Sequence, residues 1–307
     1  MVNKSLEDDD WPSDYEVDIA GLDGAVSEEP FLQASFELLK ESAGFVILAA
    51  SLMSSESEST HDRNGAILCG HLVRMVKLMR TMIRSIVDDH GGDQQMQLVR
   101  QFLDSASALL YLLEDVDDAA RYEAYLFDSL IAEREFLADV RRQISKRGGR
   151  KLPIEERIER SIADTLAAAG VSEEDIPARR KNRWPSAQAR LELMGPVAYT
   201  AYRTGSSSIH GAWHDLVRNH LVEEVGTGQY APNFDSATPR PQPLFAMSLV
   251  AAETVRRYIG VRFSRGRQEF IPRIERYIAK LRDADERHEN YLTERARRMR
   301  TPTDTQE

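Results

Sequence analysis

Apolar residues recur every three to four positions along most of this chain, which is the spacing of one buried face of an α-helix. In residues 31–55, Phe31, Leu38, Phe45 and Leu52 follow one another at seven-residue intervals, close to two helical turns. The same pattern predicts helices over residues 65–89, 94–115, 119–147, 153–170, 243–263 and 269–300. No run of alternating apolar and polar residues is bounded by turn residues, so we expect no sheet. The predicted fold class is all-α, a bundle of long antiparallel helices.

Changes in composition suggest how this bundle is bounded. Residues 1–28 are acidic and show little periodicity, so we interpret them as a mobile N-terminal arm. Residues 29–300 form a single helical domain, and a more polar stretch leaves open a subdivision near residue 150. Residues 226–243 carry several prolines and are predicted to be a long loop. Residues 301–307 are predicted to be a disordered tail.

Charge and cysteine content narrow the function classes. The 307 residues carry a formal net charge of −10, whereas a protein that coats nucleic acid needs a broad basic surface. A local basic groove is still compatible with that total. The single cysteine, Cys69, excludes an intrachain disulfide and a cysteine-rich zinc site. Because Cys69 lies within an apolar run, we interpret it as a buried structural thiol.

The sequence contains no segment suited to a membrane. The longest apolar runs, residues 44–53 and 244–252, are well short of the ~20 residues that span a bilayer. The N-terminal residues are acidic and lack the apolar core of a signal peptide. We therefore expect a cytoplasmic protein without a membrane partner.

Candidate chemistry concentrates in residues 202–220, YRTGSSSIHGAWHDLVRNH. This segment holds three of the seven histidines and one of the three tryptophans. If the segment is helical, Arg203 and His210 share one stripe because seven residues make about two turns. His214, four residues further, then lies on the same stripe. The GSSS run is a poor helix interior, so either the helix bends there or a turn separates two helices.

The pattern YRTGSSSIHGAW resembles the arginine–histidine signature of the higher-eukaryote-and-prokaryote nucleotide-binding (HEPN) superfamily. Here Arg203 and His210 bracket six residues, the long end of the superfamily's range. Thr204 stands where that superfamily usually has Asn, Asp or His. The resemblance implies a small helical bundle and, as in many members, a metal-independent ribonuclease of a toxin or phage-defence system.

A second resemblance covers more of the chain. The order VRQFLDSASALLYLLED, RYEAYLF and AYRTGSSSIHGAWHDL is similar to a bacterial family known only as domain of unknown function 5677, over roughly residues 60–260. This resemblance implies an all-helical fold and no established activity.

The ribonuclease hypothesis gives the two signature residues definite roles. Histidine titrates near neutral pH, so His210 would be the general base or acid at the 2′-hydroxyl or the leaving oxygen. Arg203 would hold the scissile phosphate and offset the charge that develops in the transition state. No cofactor is needed; RNA is the expected substrate, and a homodimer with two motifs facing one cleft is expected, as is a protein partner such as an antitoxin. The predicted substrate-binding residues in this segment are Tyr202, Ser206, Ser207, Trp213 and His214.

The basic segment ARRKNRW, residues 178–184, is a second candidate contact with RNA. Arg179, Arg180 and Lys181 would meet phosphates, and Trp184 would offer a ring for stacking. The alternative is a solvated connector between helices.

Two alternatives remain for the arginine–histidine motif. In the first, Arg203 pairs with Asp104 or Glu123 of a neighbouring helix. His210 then bonds a buried group, and the chain is a non-catalytic interaction or scaffold protein whose motif is a buried polar network. In the second, His210 and His214 bind a metal, but the HExxH pattern is absent and we predict no metal site. Exposure separates catalysis from the scaffold. The enzyme is favoured if Arg203 and His210 converge in an open cleft near basic side chains, and the scaffold is favoured if both are buried and paired.

Overall fold

Long helices lie where the apolar periodicity predicts them, and the all-α class is confirmed. The computed structural model describes residues 16–52, 61–88, 92–263 and 267–300. The helices are α1 Glu29–Ser51, α2 Arg63–Val87, α3 Gln95–Leu113, α4 Ala119–Lys146, α5 Pro153–Ala169, α6 Ala187–Leu191, α7 Pro196–Ile209, α8 Trp213–Asn219, α9 Pro241–Arg262 and α10 Arg267–Arg300. The strands are β1 Leu221–Glu224 and β2 Gln229–Pro232.

Five long helices, α1, α2, α3, α9 and α10, share the main apolar core. Each contributes large side chains that are fully buried, among them Phe31, Leu72, Phe102, Phe245 and Phe270. Removal of this apolar surface from water is the main force that holds the bundle together. Within the described residues, no helix is both long and apolar enough to cross a membrane.

Helices α4 and α5 carry a second, smaller apolar cluster. Leu130 of α4 packs there near Ala169 of α5, whereas Tyr122, closer to the start of α4, belongs to the main core. Between the two helices, Gly148 and Gly149 have φ of 66° and 86°, a left-handed conformation that glycine adopts without strain. This cluster joins elements on both sides of residue 150, and the subdivision considered from the sequence stays a prediction.

The described part of the acidic arm, residues 16–28, packs against the body of the protein. Leu22 lies within the main core with 5 % of its surface exposed, and two acidic side chains pair with arginines of α10. Residues 1–15 of the predicted arm and the predicted tail, 301–307, lie outside the described residues.

The expectation of no sheet is wrong for one small element. Strands β1 and β2 form an antiparallel hairpin in which Leu221 is opposite Pro232 and Glu224 is opposite Gln229. Each strand has four residues and most are exposed. Because no face of the hairpin is buried, it lacks the alternation of apolar and polar residues that marks a half-buried strand. The predicted loop 226–243 therefore begins inside this hairpin.

Gly205 sets the distance between α7 and α3. It is the buried residue of α7, and a Cβ atom there would lie 2.3 Å from the carbonyl oxygen of Met96 and 2.7 Å from the Cβ of Arg100. Any other side chain would push the two helices apart. Close helix packing thus explains why a weak helix former stands in the GSSS run. Helix α7 continues through this run and ends at Ile209, before the turn 210–212 that precedes α8.

We expect Gly205→Ala to destabilise the protein by about 1–3 kcal/mol, because the added methyl group overpacks this interface. Urea unfolding followed by circular dichroism measures the change. Gly70→Ala is the matched control: Gly70 is also helical, and a Cβ there meets nothing within 4 Å. The control should be stabilised by up to about 1 kcal/mol, and a Gly205→Ala variant that behaves like it would contradict the close approach.

Candidate functional site

Arg203 and His210 lie on the outer surface of the α7 region. Both are exposed, and the side chain of neither makes a hydrogen bond or ion pair with any other residue in the described part of the chain. His210 directly follows the last helical residue, and its backbone N–H donates to the carbonyl of Ser206 at 3.2 Å. Seven residues make about two turns, so the two side chains share one open stripe.

The scaffold alternative is wrong in its premise that these two residues are buried. Arg203 is paired with neither Asp104 nor Glu123. Asp104 lies near a different arginine, with 3.7 Å between its Oδ1 and the Nη2 of Arg190. The reason is the rotation of α7: Gly205 faces α3, and Arg203, two residues and about 200° earlier on the helix, faces outward.

A polar network does exist at the α3–α7 interface, and Arg100 of α3 is its centre. Its Nε donates to Ser206 Oγ at 2.8 Å, and its Nη2 donates to the Tyr202 hydroxyl at 3.2 Å. The guanidinium also lies 4.8 Å from the centre of the Tyr202 ring. Tyr202 and Ser206, predicted to contact substrate, therefore face α3 and hold Arg100.

Burial dominates the titration of the groups around this network. It raises the pKa of the Asp104 carboxyl, while nearby arginines, Arg100 first, act in the opposite direction. The pKa of His71, on α2, is lowered to about 4 by burial and by the positive charges of Arg74 and Arg190. His71 is therefore neutral at neutral pH, and it is buried, so its side chain is not accessible to a ligand.

The remaining predicted residues of the segment lie near the end of α7. Ser207 Oγ donates to the carbonyl of Arg203 at 3.3 Å. Trp213 begins α8 with 61 % of its surface exposed, and its ring meets that of Tyr230 edge-on, with centroids 5.4 Å apart. His214 is exposed and lines a cleft. The structure thus gathers an indole and an imidazole beside the turn that follows α7.

The basic connector is positioned mainly by contacts with α3 and α4. Arg179 pairs with Glu135 of α4, with 2.7 Å between Nη2 and Oε2. Arg180 and Lys181 are exposed. Trp184 packs edge-on against two tyrosine rings and is therefore a structural anchor. In the described chain no hydrogen bond or ion pair joins these basic residues to α7.

A cleft of about 210 Å³ opens between the start of α3, the α7–α8 segment and the start of α9. Ser208, His214, Arg218 and Arg240 are among its lining residues. Neither arginine is among the sequence-predicted site residues. Arg218 follows His214 by four residues in the segment already singled out, so helical spacing was an available signal. Arg240 lies in the proline-rich loop and carried no such signal.

The described residues offer little to a metal ion. Across residues 16–52, 61–88, 92–263 and 267–300, no group of three His, Cys, Asp or Glu side chains is placed to bind one. The turn 210–212 also separates His210 from His214, so the pair does not sit on one helical turn. Cys69 is half-buried, and burial raises the pKa of its thiol.

Comparison with known proteins gives a family and no activity. The sequence profile described as "Family of unknown function (DUF5677)" matches residues 65–229, just over half of the chain. No curated protein and no solved structure matches. The family resemblance seen in the sequence is confirmed; the HEPN-like signature stays a prediction.

We expect His71 to make the protein less stable as the pH falls from about 6.5 to about 4. The folded protein holds His71 neutral down to a pKa of about 4, whereas the unfolded chain protonates it at the ordinary pKa of 6.5. The contribution of neutral His71 to the free energy of unfolding is therefore complete above pH 6.5. It is lost as the pH falls to about 4, by about 3 kcal/mol. His71→Leu should flatten the unfolding free energy over this range, measured by urea titration at a series of pH values. Met75→Leu, a buried substitution on the same helix, should shift the curve without changing its slope; parallel curves for His71→Leu would refute the assignment.

Proposed function

The chain belongs to the family of unknown function DUF5677, and from the geometry of α7 we propose that it is a metal-independent endoribonuclease. The observation that carries this proposal is the open stripe of Arg203 and His210, both exposed and without a partner among the described side chains. A guanidinium whose donors are not used by the protein is available to phosphate oxygens, which it binds in a two-pronged geometry.

The chemistry needs only these two side chains and the RNA. His210 removes the proton from a ribose 2′-hydroxyl, and the 2′-oxygen forms a bond to the adjacent phosphorus. The bond from that phosphorus to the 5′-oxygen breaks, and the leaving oxygen takes up the proton that His210 removed, returned from the imidazolium through water. The products are a 2′,3′-cyclic phosphate and a 5′-hydroxyl. Arg203 stabilises the negative charge that builds up on the phosphoryl oxygens.

Features beside the stripe suit a single-stranded RNA. Proteins bind such strands by combining cations for the phosphates with exposed rings on which bases stack. Trp213 is exposed, is braced by Tyr230, and stands three residues after His210. Arg180 and Lys181 remain candidate phosphate contacts, whereas Arg179 is held by Glu135.

The proposal includes a homodimer. Seven residues along a helix cover about 10 Å, so Arg203 and His210 of one chain start from well-separated backbone positions. In a symmetric dimer, Arg203 of one chain would act beside His210 of the other. Exposed apolar side chains on α8 and β1, namely Leu216 and Val222, support a contact on this side of the molecule.

We expect the purified protein to cleave labelled tRNA or total RNA in the presence of EDTA. His210→Ala should lower the rate by about 10²–10⁴-fold, and Arg203→Ala by about 10²–10³-fold, with melting temperatures unchanged because both side chains are exposed. Gel electrophoresis of the products measures the rate.

Arg157→Ala is the matched control, since Arg157 is an exposed arginine on α5. It should cleave like the natural protein. Activity that requires a divalent metal ion, or that survives His210→Ala, would reject the proposal.

We further expect inactive Arg203→Ala and inactive His210→Ala chains to restore activity to each other when mixed. If each site takes its arginine from one chain and its histidine from the other, a mixed dimer has one intact site. Random pairing at equal amounts then returns about a quarter of the natural rate. No recovery after subunit exchange, checked with differently tagged chains, would place both residues of a site on one chain.

A further inference from the structure

Contacts with the start of α3 hold the wall of the cleft that is formed by the loop before α9. Gln95, at the start of α3, receives the backbone N–H of Arg240 at 2.9 Å and donates to its carbonyl at 3.1 Å. Gly92 lies so close to this loop that a Cβ there would be 1.8 Å from the carbonyl oxygen of Ala237. The backbone of Arg240 is therefore held by two hydrogen bonds and by direct contact of the two segments.

Two guanidinium groups line this cleft without a protein partner. In the described chain, neither Arg218 nor Arg240 makes a side-chain hydrogen bond or ion pair. Burial lowers the pKa of Arg240, and the positive charge of Arg218 lowers it further, while Glu28 acts in the opposite direction. The two like charges therefore repel each other, and Arg240 is partly desolvated although both side chains are exposed.

The two carboxylates in the cleft wall make hydrogen bonds with other groups, and in the described chain neither forms an ion pair with these arginines. Asp93 accepts the backbone N–H of Ala237 at 3.0 Å. Asp215 has 3 % of its surface exposed and accepts from Asn219 Nδ2 at 2.9 Å. An anion from outside would therefore meet two arginines with unused donors, arranged around a concave surface.

Other groups in the cleft add hydrogen-bonding capacity. Ser208 is among the lining residues, and the side-chain oxygen of Gln242, a hydrogen-bond acceptor, is buried without a partner in the described chain. With a volume of about 210 Å³, the cleft has room for a phosphate group and part of its sugar. Guanidinium groups match phosphate oxygens in geometry as well as charge.

We propose that Arg218 and Arg240 form a phosphate-binding subsite that holds the RNA strand one or more nucleotides away from the bond being cleaved. This inference rests on the proposed ribonuclease function and identifies a place where the RNA substrate is bound. Thr204 lines the cleft and directly follows Arg203 in α7, so a strand lying across α7 passes from the open stripe into the cleft. The chemical class recognised is the phosphodiester of a single strand.

The test measures RNA binding separately from cleavage. Full-length protein carrying His210→Ala is titrated against a fluorescein-labelled 12-nucleotide RNA at several salt concentrations. Adding Arg218→Ala and Arg240→Ala should weaken binding at least about tenfold and reduce the salt slope by about 0.7 for each phosphate that the protein no longer neutralises. Arg157→Ala with Arg160→Ala removes the same charge from an exposed face of α5 and should have little effect.

The outcomes distinguish failure of the subsite from failure of the nuclease. Weakened binding in the cleft variant, without cleavage by any chain, would support the subsite while rejecting the nuclease. Cleavage with unchanged RNA binding in the cleft variant would overturn the subsite and leave the nuclease standing. Equal weakening by the α5 control would overturn it as general charge attraction. The RNA assignment would be overturned if inorganic phosphate binds the natural protein and not the cleft variant while RNA binding is unaffected. If the alanine variant is unstable, a charge-preserving Arg218→Lys, Arg240→Lys variant is measured instead. Partial recovery of RNA binding by that variant would support the subsite.

Discussion

The close approach of α7 to α3 at Gly205 is the contact on which the candidate site depends. Because the two backbones touch there, the orientation of α7 about its own axis is set. Tyr202 and Ser206 are turned towards Arg100, and Arg203 is turned towards solvent. Thr204 and Ser208 then form one wall of the cleft. A small residue in an otherwise unfavourable helical sequence thereby decides which polar groups are structural and which are open to a ligand.

Burial sorts the arginines of this region into two groups. Arg190, with 8 % of its surface exposed, has a carboxylate, a backbone carbonyl and an indole ring around it, as a charge removed from water requires. Arg203 and Arg218 remain hydrated and tolerate having no partner. A net charge of −10 is therefore compatible with exposed arginines that have no partner in one region of the described chain.

The sequence carried enough information for the helices, but not for which side chains of the candidate site face solvent and which face a neighbouring helix. Helix α5 begins at Pro153 and ends before Gly170, which has φ of 69°, because both residues act locally. The partner of Asp104 was harder to predict. Neighbouring positions on a helix differ by 100°, so choosing between Arg203 and another arginine requires the rotation of α7 to within one residue. The hairpin had no buried face to reveal it, and Arg240 joins the site through a long-range contact.

The two hydrogen bonds from Gln95 to the backbone of Arg240 join segments that are 145 residues apart in the chain. Gln95 has 1 % of its surface exposed, so those bonds break only when the start of α3 separates from the start of α9. The conformational entropy needed to order this wall of the cleft is consequently lost during folding and not when a ligand arrives. A ligand in the cleft would select no new backbone conformation, and its affinity would depend on side chains alone.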